Sequence, residues 1–122
     1  MSQKRTTVAA ARQWTGAKDL KKIGNNTFEY FTGDGRVIRL HHTDILIFST
    51  NGDIVVSSGR WRTHTTAARI REYLPYPWLL KIMDFGWFIV DARTKKRYPL
   101  DDNTRLCPDG SVWRGDYRID IR

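Results

Sequence analysis

The sequence predicts an α+β fold, in which an antiparallel β-meander is followed by one central helix and then by a second set of antiparallel strands. Three observations lead to this prediction. Short segments rich in strand-forming residues follow one another at tight turns between residues 26 and 58. A helical apolar period then appears once, and strand-like segments return after it. Because strands and helix are segregated along the chain, the pattern does not favour a parallel sheet of the Rossmann type.

The predicted meander consists of four strands separated by turn signals. Gly33 and Gly35 bracket the first turn, and the pair Asn51-Gly52 is a strong hairpin signal. The third segment is almost continuously apolar, which is typical of a central strand. The strands are predicted over residues 27–32, 36–40, 44–49 and 53–58.

The helix is indicated by three apolar residues that recur on one helical face. They are Ala67, Ile70 and Leu74. Thr65 or Thr66 is expected to supply the N-cap, since a threonine hydroxyl accepts from the first unpaired amides of a helix. Pro75 is expected to end the helix, because proline cannot continue it.

After the helix the pattern returns to strands. Residues 84–86 are predicted to turn a hairpin, and Pro108-Asp109-Gly110 marks a later turn. The strand-like segments are residues 78–83, 87–90, 97–100 and the alternating residues 117–121, which are typical of an edge strand.

Length and composition predict one domain in a reducing compartment. A chain of 122 residues with 40% hydrophobic residues suits a single modest core, here residues 23–122. No apolar run reaches the ~18–20 residues of a membrane span, and the N-terminus lacks an apolar signal-peptide core, so a soluble protein without membrane contact is expected. Cys107 is the single cysteine, which excludes an internal disulfide.

The net charge of +8 is concentrated in a basic N-terminal arm, residues 1–22, in which residues 8–14 favour a short helix. Residues 1–24 contain six basic residues and one acidic residue, a net charge of +5. Such an arm favours polyanions, although it is also compatible with a role in solubility alone. The basic residues are Lys4, Arg5, Arg12, Lys18, Lys21 and Lys22.

The densest candidate binding segment is residues 59–71, at the start of the helix. It combines four arginines with an aromatic ring and threonines that precede unpaired helix amides, a setting that suits a phosphate or a base. The alternative is a capped helix with a core tryptophan and no ligand. The candidate binding residues are Arg60, Trp61, Arg62, His64, Arg69 and Arg71.

Catalytic and metal sites are only weakly indicated. His41, Asp44 and His64 are residue types that bind metals, but His41 and His42 are adjacent and would point to opposite faces of a strand. Cys107 precedes a turn and matches no nucleophile motif, so a buried or semi-buried thiol is expected. Asp101 and Asp102 are interpreted as solvated loop carboxylates. We therefore predict no catalytic residues, no metal and no cofactor.

Several motifs occur in an order that resembles a family of small tailed-bacteriophage proteins. Residues 23–27, 39–45 and 58–70 match its pattern G-N-N-T, R-L-H-x-T-D and S-G-x-W-x-T-x-T-T-x-x-R-I. Residues 87–89 and the pair Asp109-Gly110 resemble later segments of the family, so the likeness covers about residues 23–110. The family provides no activity to carry over. The resemblance implies a phage or prophage product made in the cytoplasm of a bacterial host cell.

Three functions follow as hypotheses. The first is a non-enzymatic accessory protein that binds nucleic acid or a host nucleoprotein complex. The second is an inhibitor of a bacterial defence or transcription machine that acts by protein–protein binding, with tryptophan and tyrosine as anchors. The third is a metal-dependent nuclease or phosphodiesterase, which lacks the carboxylate cluster of two-metal chemistry.

Overall fold

The structure is a computed structural model that describes residues 20–119. Within this range the protein is mainly β, with one helix and strands that all pair antiparallel. No helix in this range is long and apolar enough to cross a membrane. The strands are β1 (Lys21–Gly24), β2 (Thr27–Thr32), β3 (Gly35–Leu40), β4 (Thr43–Ser49), β5 (Ile54–Val56), β6 (Trp78–Met83), β7 (Gly86–Asp91), β8 (Arg97–Pro99), β9 (Thr104–Leu106), β10 (Val112–Arg114) and β11 (Tyr117–Arg118), and the helix is α1 (His64–Tyr73).

The larger sheet has eight strands in the order β1-β2-β3-β4-β5-β9-β10-β11. Strands β2 to β5 are neighbours in chain order and form the predicted four-stranded meander, whereas β1, which the sequence analysis assigned mainly to the arm, is a further strand paired with β2. The predicted second set of strands does not stay together, because β9 pairs with β5 and places Val55 opposite Arg105. Leu106 and Val112 are fully buried and belong to the same core as the first strands. The last three strands therefore extend the larger sheet and do not form a separate layer. The prediction of a second set is therefore only partly correct.

The smaller sheet has three strands in the order β6-β7-β8. The hairpin predicted at residues 84–86 is present, with Met83 paired to Gly86. Asp84 and Phe85 form its two-residue turn with φ angles of 51° and 64°. Two successive left-handed residues match the twist of the paired strands, which is the geometry that two-residue hairpins prefer.

Helix α1 confirms the predicted apolar face and corrects the predicted cap. Ala67, Ile70 and Leu74 are all buried. The N-cap is Thr63 rather than Thr65 or Thr66, since Thr63 has an extended backbone and its Oγ1 accepts from the Thr66 amide at 3.2 Å. Thr66 instead lies inside the first turn and is itself buried.

A single apolar core joins both sheets and the helix. The larger sheet contributes Ile38 and Leu46, the helix contributes Ile70, and the smaller sheet contributes Trp78 and Ile89. The loop from β5 to α1, residues 57–63, connects the larger sheet to the helix and contains the candidate residues Arg60, Trp61 and Arg62.

The basic arm predicted over residues 1–22 overlaps the first strand. Lys21 and Lys22 lie in β1, opposite Glu29 and Phe28 of β2. The other basic residues of the arm lie outside the described residues, and they are Lys4, Arg5, Arg12 and Lys18.

Candidate functional site

The loop between β5 and α1 is folded around Ser58, a fully buried residue. Its amide and its hydroxyl both donate to Oδ1 of Asp102, each at 3.0 Å. The same hydroxyl oxygen accepts from the Arg60 amide at 3.2 Å and from Nε of Arg62 at 3.0 Å. The Asp102 carboxylate is thus a partner of the loop and not the solvated group that the sequence suggested. Buried polar groups that satisfy one another in this way hold a loop in one conformation.

The backbone of this loop turns sharply at two left-handed residues. Gly59 and Arg60 have φ angles of 60° and 70°. A Cβ atom at Gly59 would lie 2.4 Å from Cγ2 of Thr43, so only glycine fits against the β3–β4 turn. The amide of Trp61 then donates to the carbonyl of Ser58 at 2.9 Å. The result is that Trp61 lies at the surface with 65% of its area exposed.

The exposed tryptophan forms one wall of a cleft of about 520 Å³. Its lining includes the core residues Leu40 and Ile45, and four of the other lining residues are threonines. No aspartate or glutamate among the described residues lines it. The cleft is therefore mainly apolar, and no carboxylate of the described residues lines it. Its lining residues are Leu40, His41, His42, Thr43, Ile45, Ser58, Trp61, Thr63, Thr65 and Thr66.

Two neighbouring arginines of the loop have different environments. The guanidinium of Arg60 is exposed and makes no hydrogen bond or ion pair with residues 20–119. Arg62 also donates from Nη2 to the carbonyl of Leu100 at 3.0 Å, and its guanidinium lies over the Trp87 ring. Arg62 thus contributes to the packing of the fold, whereas Arg60 is available to a ligand.

The two helix arginines are also bonded within the fold. Nε of Arg69 donates to Oγ1 of Thr27 at 2.9 Å, and its Nη1 lies 3.5 Å from Oε1 of Glu72. Nε of Arg71 donates to the carbonyl of Leu80 at 3.3 Å. These contacts attach the helix to β2 and β6. A ligand role for either residue stays a prediction.

The remaining sequence candidates are exposed but spread out. His64 is the exposed first residue of α1 and is not among the cleft-lining residues. Lys21 and Lys22 are exposed on β1. The carbonyl of Asn26, in the turn after β1, accepts from the His41 amide at 2.8 Å, so this turn touches the turn that lines the cleft.

The proposed metal ligand Asp44 belongs to a buried polar cluster. Nε of Arg39 donates to its Oδ1 at 3.1 Å, and the Tyr30 hydroxyl donates to its Oδ2 at 2.8 Å. Burial, followed by the charge of Asp44, raises the pKa of Tyr30 to about 12. Within residues 20–119 no group of three His, Cys, Asp or Glu side chains is placed to hold a metal ion.

Sequence reasoning missed this cluster, although a signal exists. Arg39 and Asp44 flank a short turn between β3 and β4, where they form a cross-strand pair. Opposite charges on either side of a predicted hairpin turn favour such a pair.

Cys107 is half-buried, which confirms the expectation of a semi-buried thiol. Burial raises the pKa of this thiol, while the hydroxyl of Ser111 acts in the opposite direction. A raised pKa lowers the thiolate fraction at neutral pH and with it the nucleophilicity of the sulfur.

No family model, curated protein or solved structure matches the chain.

Proposed function

We propose that the protein is a non-enzymatic accessory protein of a bacteriophage that binds nucleic acid, free or within a host nucleoprotein complex, in the cytoplasm of the bacterial host. The observation that carries the proposal is the placement of Arg60 and Trp61. Trp61 is exposed and lines a cleft that has no acidic lining residues, and Arg60, its neighbour in the chain, is exposed as well.

Trp61 supplies the aromatic surface that such binding uses. A nucleobase that stacks on an exposed aromatic ring contributes about 1–3 kcal/mol. The bases of a duplex are already stacked on each other, so a surface tryptophan favours unpaired bases. The nearby threonine hydroxyls and imidazoles of His41 and His42 add hydrogen-bonding groups for base edges or phosphates. The preferred ligand is therefore a single strand.

The positive charge of the protein favours binding of a phosphate backbone. Arg60 has no internal partner among the described residues, so its guanidinium is available for a phosphate fork. Lys21 and Lys22 lie on the strand that precedes the Asn26 turn, and the N-terminal segment adds further basic residues. Such charge attracts nucleic acid in a salt-dependent manner. The phage assignment itself is supported by the motif resemblance alone.

Fluorescence anisotropy with labelled oligonucleotides of about 15 nucleotides tests the proposal. We expect oligo-dT and oligo-U to bind more tightly than a duplex of the same length, and affinity to fall between about 50 and 200 mM salt. Trp61→Ala should weaken binding by roughly 5- to 100-fold, the range that corresponds to one lost stacking contact. Arg60→Glu should weaken binding and reduce the salt dependence.

Two matched controls are available. Tyr76 is an aromatic residue that is 75% exposed outside the cleft, and Arg118 is an exposed arginine on β11. Tyr76→Ala and Arg118→Glu should leave affinity nearly unchanged. Absence of binding to every oligonucleotide at low salt, or equal losses in Trp61→Ala and Tyr76→Ala, would contradict the proposal.

A second candidate function is inhibition of a bacterial defence or transcription complex by protein–protein binding. The observation in its favour is the set of large apolar side chains exposed away from the cleft, which are Phe31, Tyr76, Leu79, Ile82, Phe85 and Tyr117. A pull-down from bacterial lysate with and without nuclease separates the two functions. One stoichiometric protein that persists after nuclease favours the inhibitor, and loss of every partner favours nucleic-acid binding.

A further inference from the structure

The three-stranded sheet has one buried face and one face that the described residues leave uncovered. Side chains alternate between the two faces of a strand. The buried face supplies core residues such as Leu80 and Ile89. The opposite face, here called the outer face, contributes no residue to that core. The outer face consists of Leu79, Lys81, Met83, Phe88, Val90, Arg97 and Pro99.

Strand register brings the apolar outer-face residues together. Leu79 lies opposite Val90, and Phe88 lies opposite both Lys81 and Pro99. Leu79 is exposed, while Phe88 and Val90 are half-buried within a face that has no covering layer. A contiguous apolar surface of this kind on a small domain marks an interaction site more often than chance exposure does.

The charges on the outer face are all positive. Lys81 and Arg97 are exposed, and neither forms an ion pair with residues 20–119. Arg97 places Nη1 3.5 Å from the sulfur of Met83. Of the two turns of this sheet, the β7–β8 turn contains the exposed Lys95 and Lys96, and the β6–β7 turn contains the exposed Asp84. An apolar centre with unpaired cations beside it is complementary to a partner that combines apolar and acidic groups.

The hairpin tip at the end of the outer face presents a fully exposed aromatic residue. Phe85 has no shielding by the described residues and adopts a φ of 64°. A bulky side chain in the left-handed region costs about 1–2 kcal/mol, and glycine would be the stable choice there. Stability therefore does not account for phenylalanine at this position. Large aromatic side chains that project in this way serve as anchors in protein interfaces.

We infer that the outer face, together with Phe85, is a docking surface for a protein segment that carries both acidic and apolar side chains. A second copy of this chain is a poor occupant, since it would bring further Lys81 and Arg97 charges to the same interface. Residues 1–19 are equally unsuited, because they contain four basic residues and one acidic residue.

The composition of the outer face also separates this site from the nucleic-acid cleft. Four of its five apolar residues, Leu79, Met83, Val90 and Pro99, have no aromatic ring on which a base could stack. An acidic peptide matches both the aliphatic centre and the cations. The inference does not depend on the proposed nucleic-acid binding, because that site and the outer face share no residue, although Leu79 and Phe85 also belong to the exposed set that favours the second candidate function.

NMR titration of the ¹⁵N-labelled full chain tests the inference. The probe is a synthetic peptide of about a dozen residues with equal numbers of glutamate and leucine, and its partner has glutamine in place of every glutamate. We expect the acidic peptide to shift the amides of Leu79, Lys81 and Val90. Its affinity should exceed that of the glutamine peptide by about 10-fold or more, since like and unlike charges across an interface discriminate partners.

Charge-reversal variants test which residues of the outer face bind the peptide. Lys81→Glu with Arg97→Glu should weaken peptide binding by about 10-fold or more, while melting temperature changes little because both residues are on the surface. Phe85→Gly should also weaken binding while the hairpin is retained. Arg118→Glu is the control, and Arg60→Glu should lose nucleic acid but keep the peptide, so that the two proposals fail independently.

Four results would overturn the inference. The first two are that the acidic peptide does not shift the amides of the outer face, and that the acidic and glutamine peptides bind equally well. The other two are that oligo-dT, and not the peptide, shifts these amides, and that the protein self-associates through this face.

Discussion

The guanidinium carbon of Arg62 lies 5.0 Å from the centroid of the Trp87 ring. Trp87 is a buried residue of the smaller sheet, so a cation from the β5–α1 loop covers the edge of the core. The same guanidinium donates to Ser58 in the loop and to the carbonyl of Leu100. Arg62 therefore connects three parts of the fold through one planar fork, a geometry that lysine cannot reproduce.

Arg62→Ala should destabilise the protein, whereas Arg60→Ala should not. Loss of two hydrogen bonds and a cation–π contact predicts a fall of about 1–3 kcal/mol in the free energy of unfolding for Arg62→Ala. Arg60→Ala should change it by less than about 0.5 kcal/mol, since its guanidinium has no internal partner among the described residues. Urea denaturation of both variants checks this pair, and equal effects would refute the distinction.

Charge reversal at both Arg62 and Arg69 should lower the melting temperature markedly. Arg69→Glu removes the donor to Thr27 and places a carboxylate near Glu72. A loss of ligand binding in this double variant would then have two causes, unfolding of the protein and removal of the arginine contacts. Differential scanning calorimetry decides the matter, because an unchanged melting temperature would show that neither residue supports the fold.

Thr63→Ala should destabilise helix α1 more than Thr65→Ala does. Thr63 caps the helix through the Thr66 amide, and removal of an N-cap hydroxyl costs about 0.5–2 kcal/mol. Thr65 is exposed in the first turn, and its replacement by alanine should be nearly neutral or slightly stabilising. Thermal unfolding monitored by circular dichroism compares the two variants, and the reverse order would reject the assigned cap.

Local sequence signals predicted most elements but not their long-range partners. The buried face of α1 was predictable because Ala67, Ile70 and Leu74 repeat at the helical period. The cap was not, since several threonines lie close together and only the extended backbone at Thr63 selects one of them. The pairing of Val55 with Arg105 joins segments fifty residues apart, for which turn and period signals carry no information.

In the candidate site, too, the local features were predictable from the sequence and the long-range contacts were not. The density of arginine and tryptophan identified residues 59–71, because that signal is local. Which arginines form hydrogen bonds within the fold depends on distant partners, such as Leu100 for Arg62 and Thr27 for Arg69. The outer face was missed because its apolar residues come from three strands and meet only through register.

Arg39→Ala should be strongly destabilising, while Arg36→Ala should be mild. Arg39 forms a buried pair with Asp44, and removal of one partner from such a pair costs about 3–5 kcal/mol because the other charge remains buried. Arg36 pairs with Glu29 at a more exposed position, where ion pairs contribute at most about 1 kcal/mol. Chemical denaturation at neutral pH measures both, and similar losses would contradict the assignment of a buried cluster.

Tyr30→Phe should change how stability depends on alkaline pH. The pKa of Tyr30 is raised from 10.0 to about 12, chiefly by burial and then by the charge of Asp44. In the unfolded chain the phenol ionises at its ordinary pKa, so the stability that the neutral phenol contributes is complete below pH 10 and is lost as pH rises towards 12. Wild type should therefore lose up to about 2–3 kcal/mol more than Tyr30→Phe over this interval.

At neutral pH wild type should be the more stable protein, because Tyr30→Phe lacks the hydrogen bond to Asp44. We expect the free energy of unfolding of the variant to be lower by about 1–2 kcal/mol. The other tyrosines titrate in both proteins, so their contributions cancel in the difference. Urea denaturation at intervals between pH 8 and 11.5 measures that difference. We expect the difference in the free energy of unfolding between the two proteins to narrow above pH 10. The reason is that the phenol of wild type ionises in the unfolded chain but stays protonated in the folded protein, which stabilises the unfolded state of wild type only. Curves that stay parallel over the whole range would show that Tyr30 ionises in the folded protein as readily as in the unfolded chain.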